Sequence, residues 1–329
     1  MDNHRSGASD IRGLLMQSGG RFISYEFVRF PEEKLESLIS SRATEGELEL
    51  SGAFRVTISA WWYWLSKRFS PGVFWVDAKV NGHKVHLVLD TGSNTTDLDP
   101  QVAVNAKVTL TEKRGIAFGA RKEWTTSFYW GQLQELEIDG LLARNLPVTV
   151  RTKRRVFKLL GIPIYHEDGF LGMDLLQHLA IRMDFQNGVV TLSREPLSSK
   201  GYSAPLRVIE ASQSPVMVEG RGGIGPLPIV EGLVDNSGPF PFLIDTGASG
   251  PALIGKEVWK ALGLEGREGE KVTLERVKLG EIELHNVPAI KDEAEHRRKI
   301  ILLGSGIFLS NGYKRLTLDF LTGKLYAER

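Results

Sequence analysis

The sequence predicts an all-β protein made from two copies of one lobe, and three observations carry that expectation. Asp-Thr-Gly occurs twice, each time after an apolar run: His86-Leu87-Val88-Leu89-Asp90-Thr91-Gly92-Ser93 and Pro241-Phe242-Leu243-Ile244-Asp245-Thr246-Gly247-Ala248. Average residue frequencies give two such tripeptides in about one in several hundred chains of this length. A second matched pair lies downstream: Phe170-Leu171-Gly172 with Met183-Asp184-Phe185, and Leu302-Leu303-Gly304 with Leu318-Asp319-Phe320. The signals keep one order in both halves, which marks an internal repeat. The rest of each half is strand-rich, with helices expected only near residues 175–179, 256–262 and 307–309.

Residues 1–72 read as a small mixed N-terminal segment. A strand is expected over 21–29. A helix entered at Pro31 sets Leu35, Leu38 and Ile39 on one face, and strands follow over 47–50 and 54–64. Ser70-Pro71-Gly72 is the expected boundary of a first lobe over 73–195. That lobe opens with a hairpin of 73–79, an Asn81-Gly82 turn and 85–89, which leads into Asp90. A loop over 195–204 joins it to a second lobe over 205–329. Strands near 206–209 and 216–219 and the turn Asn236-Ser237-Gly238-Pro239 precede Asp245 there.

These motifs resemble the aspartic protease superfamily, specifically a single chain with two retroviral-type lobes. The resemblance implies a bilobal acid-protease-like fold: two homologous β-barrel-like lobes with the active site between them. Two carboxylates about 3 Å apart share one proton. By resemblance, Asp90 and Asp245 hold one water, the charged member acting as base while the neutral one protonates the peptide carbonyl. Thr91 and Thr246 would bond across the lobe interface, and Gly92 and Gly247 would permit close backbone approach. Ser93 and Ala248 complete the two turns; a Ser93 hydroxyl bonded to the carboxylate would make Asp90 the base. Gly115 to Gly131 forms an aromatic, glycine-bounded flap in which Trp124 and Tyr129 would cap substrate. Gly263 to Gly280 has no aromatic residue, so one flap is expected.

The implied function is an aspartic endopeptidase acting on peptide or protein substrates as a monomer, without cofactor or metal. The alternative is a non-catalytic peptide-binding module on the same fold. Residues 1–72 would either complete the first lobe with extra strands or act as a prosegment, with Lys67 neutralising the aspartates. Two departures stand out: the chain has no cysteine, and Asp97 occupies a position where pepsins place tryptophan.

Composition narrows the partners. With 42% hydrophobic residues the chain can bury large cores, and 41 basic against 40 acidic residues provide no field for nucleic acid. The N-terminus shows no apolar segment of signal-peptide length, which points to the cytoplasm as written; a periplasmic or membrane-associated setting follows if the N-terminus is incomplete. The aromatic stretch 58–65 reads as a buried or edge strand, and the alternative is membrane-surface contact through Trp61, Trp62 and Trp64. The seven histidines show no ligand spacing. Gly220-Arg221-Gly222-Gly223-Ile224-Gly225 is a loop, since Pro226 and Pro228 forbid the helix a dinucleotide site needs. Basic stretches at 151–155 and 296–299 read as solvated loops. Asn94-Thr95-Thr96 forms a glycosylation sequon, discounted because it abuts the turn at Asp90.

Overall fold

The computed structural model describes residues 23–40, 46–60, 63, 67, 70–117, 125–159, 162–197, 199–210, 217–218, 221–223, 225–264 and 271–329. The fold is mostly β and bilobal. The first lobe is an eight-stranded sheet in the order Glu49–Gly52, Leu141–Arg151, Thr96–Leu98, Gly169–Leu171, His83–Leu89, Trp75–Val80, Thr126–Ile138 and Thr109–Ala117. Pairing of Thr126–Ile138 with Leu141–Arg151 curls the sheet into a barrel. The second lobe is a seven-stranded sheet in the order Arg207–Ile209, Leu227–Val234, Ser237–Asp245, Ile301–Gly304, Ala252–Gly255, Ile282–Asp292 and Val272–Leu279. Leu233 and Val234 pair with Lys278 and Val277 to close it.

Each barrel follows from strand alternation. In Trp75–Val80, Val76, Ala78 and Val80 are buried, as are Leu87 and Leu89 in the strand that delivers Asp90. At roughly 25 cal/mol per Å² of apolar surface, such inward side chains supply the main folding drive. The short strand Gly169–Leu171 lies between His83–Leu89, in parallel, and Thr96–Leu98, antiparallel; Ile301–Gly304 repeats this arrangement between Ser237–Asp245 and Ala252–Gly255.

A six-stranded sheet lies beneath both lobes, ordered Tyr202–Pro205, Lys324–Glu328, Arg315–Asp319, Ala180–Asp184, Val189–Ser193 and Arg55–Ser59. Its centre is the antiparallel pair of Ala180–Asp184 with Arg315–Asp319, one strand from each half of the repeat. Arg315 Nε and Asp184 Oδ2, 2.7 Å apart, tie that pair together. The N-terminal strands join the first half. Arg55–Ser59 edges the shared sheet, Glu49–Gly52 edges the first barrel, and Ile23–Arg29 pairs with Lys153–Leu159 in a three-stranded sheet.

Several expectations change. The strand expected to reach residue 64 ends at Ser59; Tyr63 N–H bonds to Ala60 O, and Lys67 N–H to Tyr63 O, in a helical turn. That turn stacks Tyr63 on Phe74 with ring centroids 4.3 Å apart. Trp61, Trp62 and Trp64 lie outside the described residues. The expected helix after Pro31 is Glu32–Glu36, with Leu35 buried and Leu38 and Ile39 just beyond its end. A helix at Pro100–Asn105 was not anticipated; Asp99 caps it by accepting from Gln101 N–H, and Pro100 suits its first turn. Arg221–Gly223 is a strand paired with Met217–Val218, not a loop. The basic stretches are not solvated loops: Lys153–Leu159 is a strand, and Arg151 and Arg297 are both buried in ion pairs. No helix among the described residues is long and apolar enough to cross a membrane.

Candidate active site

The two Asp-Thr-Gly turns meet face to face between the lobes. Thr91 N–H donates to Thr246 Oγ1 at 3.0 Å and Thr246 N–H to Thr91 Oγ1 at 3.1 Å. Each hydroxyl then donates across the interface, Thr91 to Ile244 O at 2.6 Å and Thr246 to Leu89 O at 2.7 Å. Both threonines are fully buried, so every donor and acceptor in this reciprocal set is satisfied without water. A Cβ placed on Gly92 would lie 2.5 Å from Cγ of Asp245, and one on Gly247 would lie 2.5 Å from Cγ of Asp90. Each aspartate therefore rests over the other turn's glycine, and no larger residue fits there.

Glycine also seats the supporting strands. A Cβ on Gly172 would strike the Thr95 carbonyl carbon at 2.2 Å, and one on Gly304 the Ala248 oxygen at 2.5 Å. The apolar-apolar-Gly signal is thus a close-approach requirement behind each aspartate turn. Ser305 Oγ adds a bond to Gly72 O at 2.8 Å, and Asn94 Nδ2 reaches Gly225 O at 3.4 Å across the lobes.

The carboxyls of Asp90 and Asp245 face each other across the interface, each over the other turn's glycine. Gly92 N–H donates to Asp90 Oδ1 at 2.9 Å and Gly247 N–H to Asp245 Oδ1 at 2.8 Å. Burial pushes both above the ordinary carboxylate range. For Asp90 the charges of Asp245 and, more weakly, Glu167 add to the effect of burial. Arg297 instead holds Asp245 down. The two titrate as one coupled pair, and the ground for taking Asp90 as the base falls away. The reason lies in the serine hydroxyl: Ser93 Oγ donates to Thr95 O at 2.7 Å, not to Asp90.

The expected flap is a hairpin of Thr109–Ala117 and Thr126–Ile138. Trp124 lies outside the described residues. Tyr129 does not cap a cleft: it is fully buried in the first lobe's core, with the Arg114 guanidinium 4.4 Å from its ring centroid. Its position in the strand points it into the barrel with Leu133, opposite to Trp130.

Sequence reasoning missed a set of buried charges beside the aspartates. In the first lobe Arg151 bridges Asp97 and Glu167, each at 2.8 Å, and Arg155 also binds Glu167 at 2.8 Å. In the second lobe Arg297 Nε lies 2.7 Å from Asp292 Oδ2. The signal available was the unusual aspartate at 97; its partner is far off in sequence and adjacent only through strand pairing. Among the described residues no group of three or more His, Asp or Glu is arranged to hold a metal ion.

The family model for a gag-polyprotein putative aspartyl protease matches residues 76–178, which is the first lobe. No curated protein matches the chain. Among solved structures, Basic 7S globulin from soybean is 9% identical with a TM-score of 0.45, covering 86% of this chain and 95% of its own. A retropepsin-like aspartic protease from Rickettsia conorii is 18% identical with a TM-score of 0.27, covering 45% of this chain and 94% of its own. Paired barrels, each with a short parallel strand behind an Asp-Thr-Gly turn, give this chain a bilobal, acid-protease-like fold whose first lobe matches the family model for a gag-polyprotein putative aspartyl protease.

Proposed function

We propose that the protein binds an extended peptide between its lobes and hydrolyses it with a water held by Asp90 and Asp245. The observation that carries this reading is the reciprocal seating of the two carboxyls, each over the opposite turn's glycine and each accepting its own glycine's N–H. The charged member of the pair takes a proton from the water as it attacks the peptide carbonyl. The neutral member gives its proton to the carbonyl oxygen, forming a tetrahedral diol; the newly protonated carboxyl then protonates the amide nitrogen as the C–N bond breaks, a diol hydroxyl returns its proton to the other carboxylate, and no covalent enzyme intermediate forms. One chain supplies both halves of the site, and activity per molecule is expected to hold on dilution.

A second reading keeps the cleft and drops the chemistry: a non-catalytic peptide-binding module. Two observations favour it. Tyr129 is withdrawn into the core and presents nothing to a substrate, and the Ser93 hydroxyl leaves Asp90 without that donor. Digestion of a denatured protein mixture from about pH 3 to about pH 8, with and without a statine-type inhibitor, separates the two. Inhibitor-sensitive cleavage that Asp90→Asn and Asp245→Asn each abolish, with the fold intact, supports hydrolysis. Peptide binding without cleavage at any pH supports the module.

A further inference from the structure

The segment behind Asp90 grips its turn at three points. Asp90 N–H donates to Leu171 O at 3.0 Å, and Met173 N–H donates to Ser93 O at 2.8 Å. The third point is a carboxylate. Asp174 Oδ2 accepts Thr96 N–H at 2.8 Å, and Asp174 Oδ1 accepts the Thr96 hydroxyl at 2.8 Å. Thr96 is fully buried, and its oxygen also accepts the N–H of Gly172 at 3.2 Å, the glycine that packs on Thr95. Leu175 N–H adds another donor to Asp174 Oδ1 at 2.8 Å. Burial pushes the Asp174 carboxyl up to about 6, and the Thr96 N–H and hydroxyl work against that rise.

The second lobe builds the same grip without a charge. Gly306 stands where the first half of the repeat has Asp174. A Cβ there would lie 2.6 Å from Pro71 O and 2.8 Å from Ser249 O, so bare backbone packs directly on the turn and no carboxylate fits. Ser305, in the place of Met173, supplies the side-chain bond, donating to Gly72 O at 2.8 Å with Thr246 O 3.3 Å away. The two aspartates therefore sit on turns held by different chemistry. A carboxylate with its donors supports Asp90, and close backbone packing with one hydroxyl supports Asp245.

We propose that Asp174 is a positioning residue for Asp90: through Thr96 and Gly172 it fixes the turn that carries this carboxyl, and it takes no part in holding Asp245. Hydrogen bonds to an ionised acceptor are shorter and stronger than neutral ones, so this one side chain outweighs the backbone bonds beside it. Without it, Thr96 N–H and its hydroxyl lose their acceptor and the loop from Ser93 to Thr96 loosens at its far end. A misplacement of about 1 Å costs on the order of a hundredfold in rate where two groups must share one water. The inference rests on the shared-water reading of the pair; Asp174 acts only through the turn.

The test compares the full chain with Asp174→Ala, Asp174→Asn and Thr96→Val. Asparagine is the conservative variant: its oxygen accepts Thr96 N–H, its amide donates to the Thr96 oxygen, and Leu175 N–H keeps Gly172 O at 3.2 Å. Hydrogen exchange is read at amides 91–96 and 246–250. Asp174→Ala is expected to speed exchange at 91–96 by at least about tenfold and leave 246–250 unchanged. Its kcat per folded molecule is expected to fall by at least about tenfold with KM within about twofold; Thr96→Val moves the same way, and asparagine recovers most of the loss. Leu316→Ala, a cavity in the core of the shared sheet, controls for destabilisation alone and is expected to keep kcat. Exchange that rises equally at both turns, or kcat no lower than in Leu316→Ala, overturns the proposal. If Asp174→Ala does not fold, Thr96→Val and Asp174→Asn carry the same comparison. A parent that cuts nothing overturns hydrolysis alone; exchange at the two turns then decides, with affinity for a statine-type inhibitor in place of kcat.

Discussion

Thr91 and Thr246 each place one hydroxyl in two hydrogen bonds, donating to a carbonyl of the opposite lobe and accepting the opposite threonine's N–H. Thr91→Val keeps the volume and removes both. It leaves the Ile244 carbonyl and the Thr246 N–H unsatisfied in a dry interface, for an expected loss of about 2–5 kcal/mol in urea unfolding. Thr91→Ser retains the oxygen and is expected to recover most of that loss; a Val variant as stable as the parent beside a destabilised Ser variant would show that the methyl packing matters and the bonds do not. The charges beside the dyad make a second residue-level prediction. The Arg297 charge opposes the rise of Asp245, so Arg297→Gln is expected to raise the titration of the pair and move the acidic limb of the pH profile up. The Glu167 charge adds to the rise of Asp90, so Glu167→Gln is expected to lower the titration of the pair and move the basic limb down. Ser93→Ala is expected to move neither limb, because its hydroxyl serves Thr95 O. A profile that shifts with Ser93→Ala and not with Arg297→Gln would reverse this account.

Among the elements, the strand Arg55–Ser59 bears most directly on residues 1–72. It pairs residue for residue with Val189–Ser193 and buries Val56 and Ile58. A chain starting at Ser70 would leave Val189–Ser193 as a bare edge over an exposed apolar face. Such a truncation is expected to lose its cooperative thermal transition and aggregate, whereas release of a prosegment would leave a stable, active remainder. The strands around Asp90 and Asp245 were legible because buried β alternation, glycine and turn residues are local signals. The helix Pro100–Asn105 was legible in principle, from Asp99 ahead of Pro100, and was hidden by the strand-rich context. The end of the strand at Ser59 was not, since Val56, Ile58 and the aromatics after them give one unbroken apolar reading; what ends it is a tertiary contact, Tyr63 on Phe74. Tyr129 and Arg151 were misread for a related reason. Whether a strand residue points inward depends on register, and Arg151 meets Asp97 only because Asp97 pairs with Thr149.

For the whole molecule, the repeat is visible in sequence but its join is not. The six-stranded sheet takes three strands from each side of the loop near residue 199: Arg55–Ser59, Val189–Ser193 and Ala180–Asp184 before it, and Tyr202–Pro205, Lys324–Glu328 and Arg315–Asp319 after it. The threonine bonds also run only between these two portions. Covalent continuity through the loop thus duplicates a connection the folded halves already make. Residues 1–199 and 200–329 produced together as separate polypeptides are expected to co-purify in equal amounts and melt within a few degrees of the intact chain; recovery of either piece alone and folded would show that the halves do not need each other. A backbone break at this loop is consequently a silent injury, and the same protein can be encoded as two genes and switched on by bringing their products together.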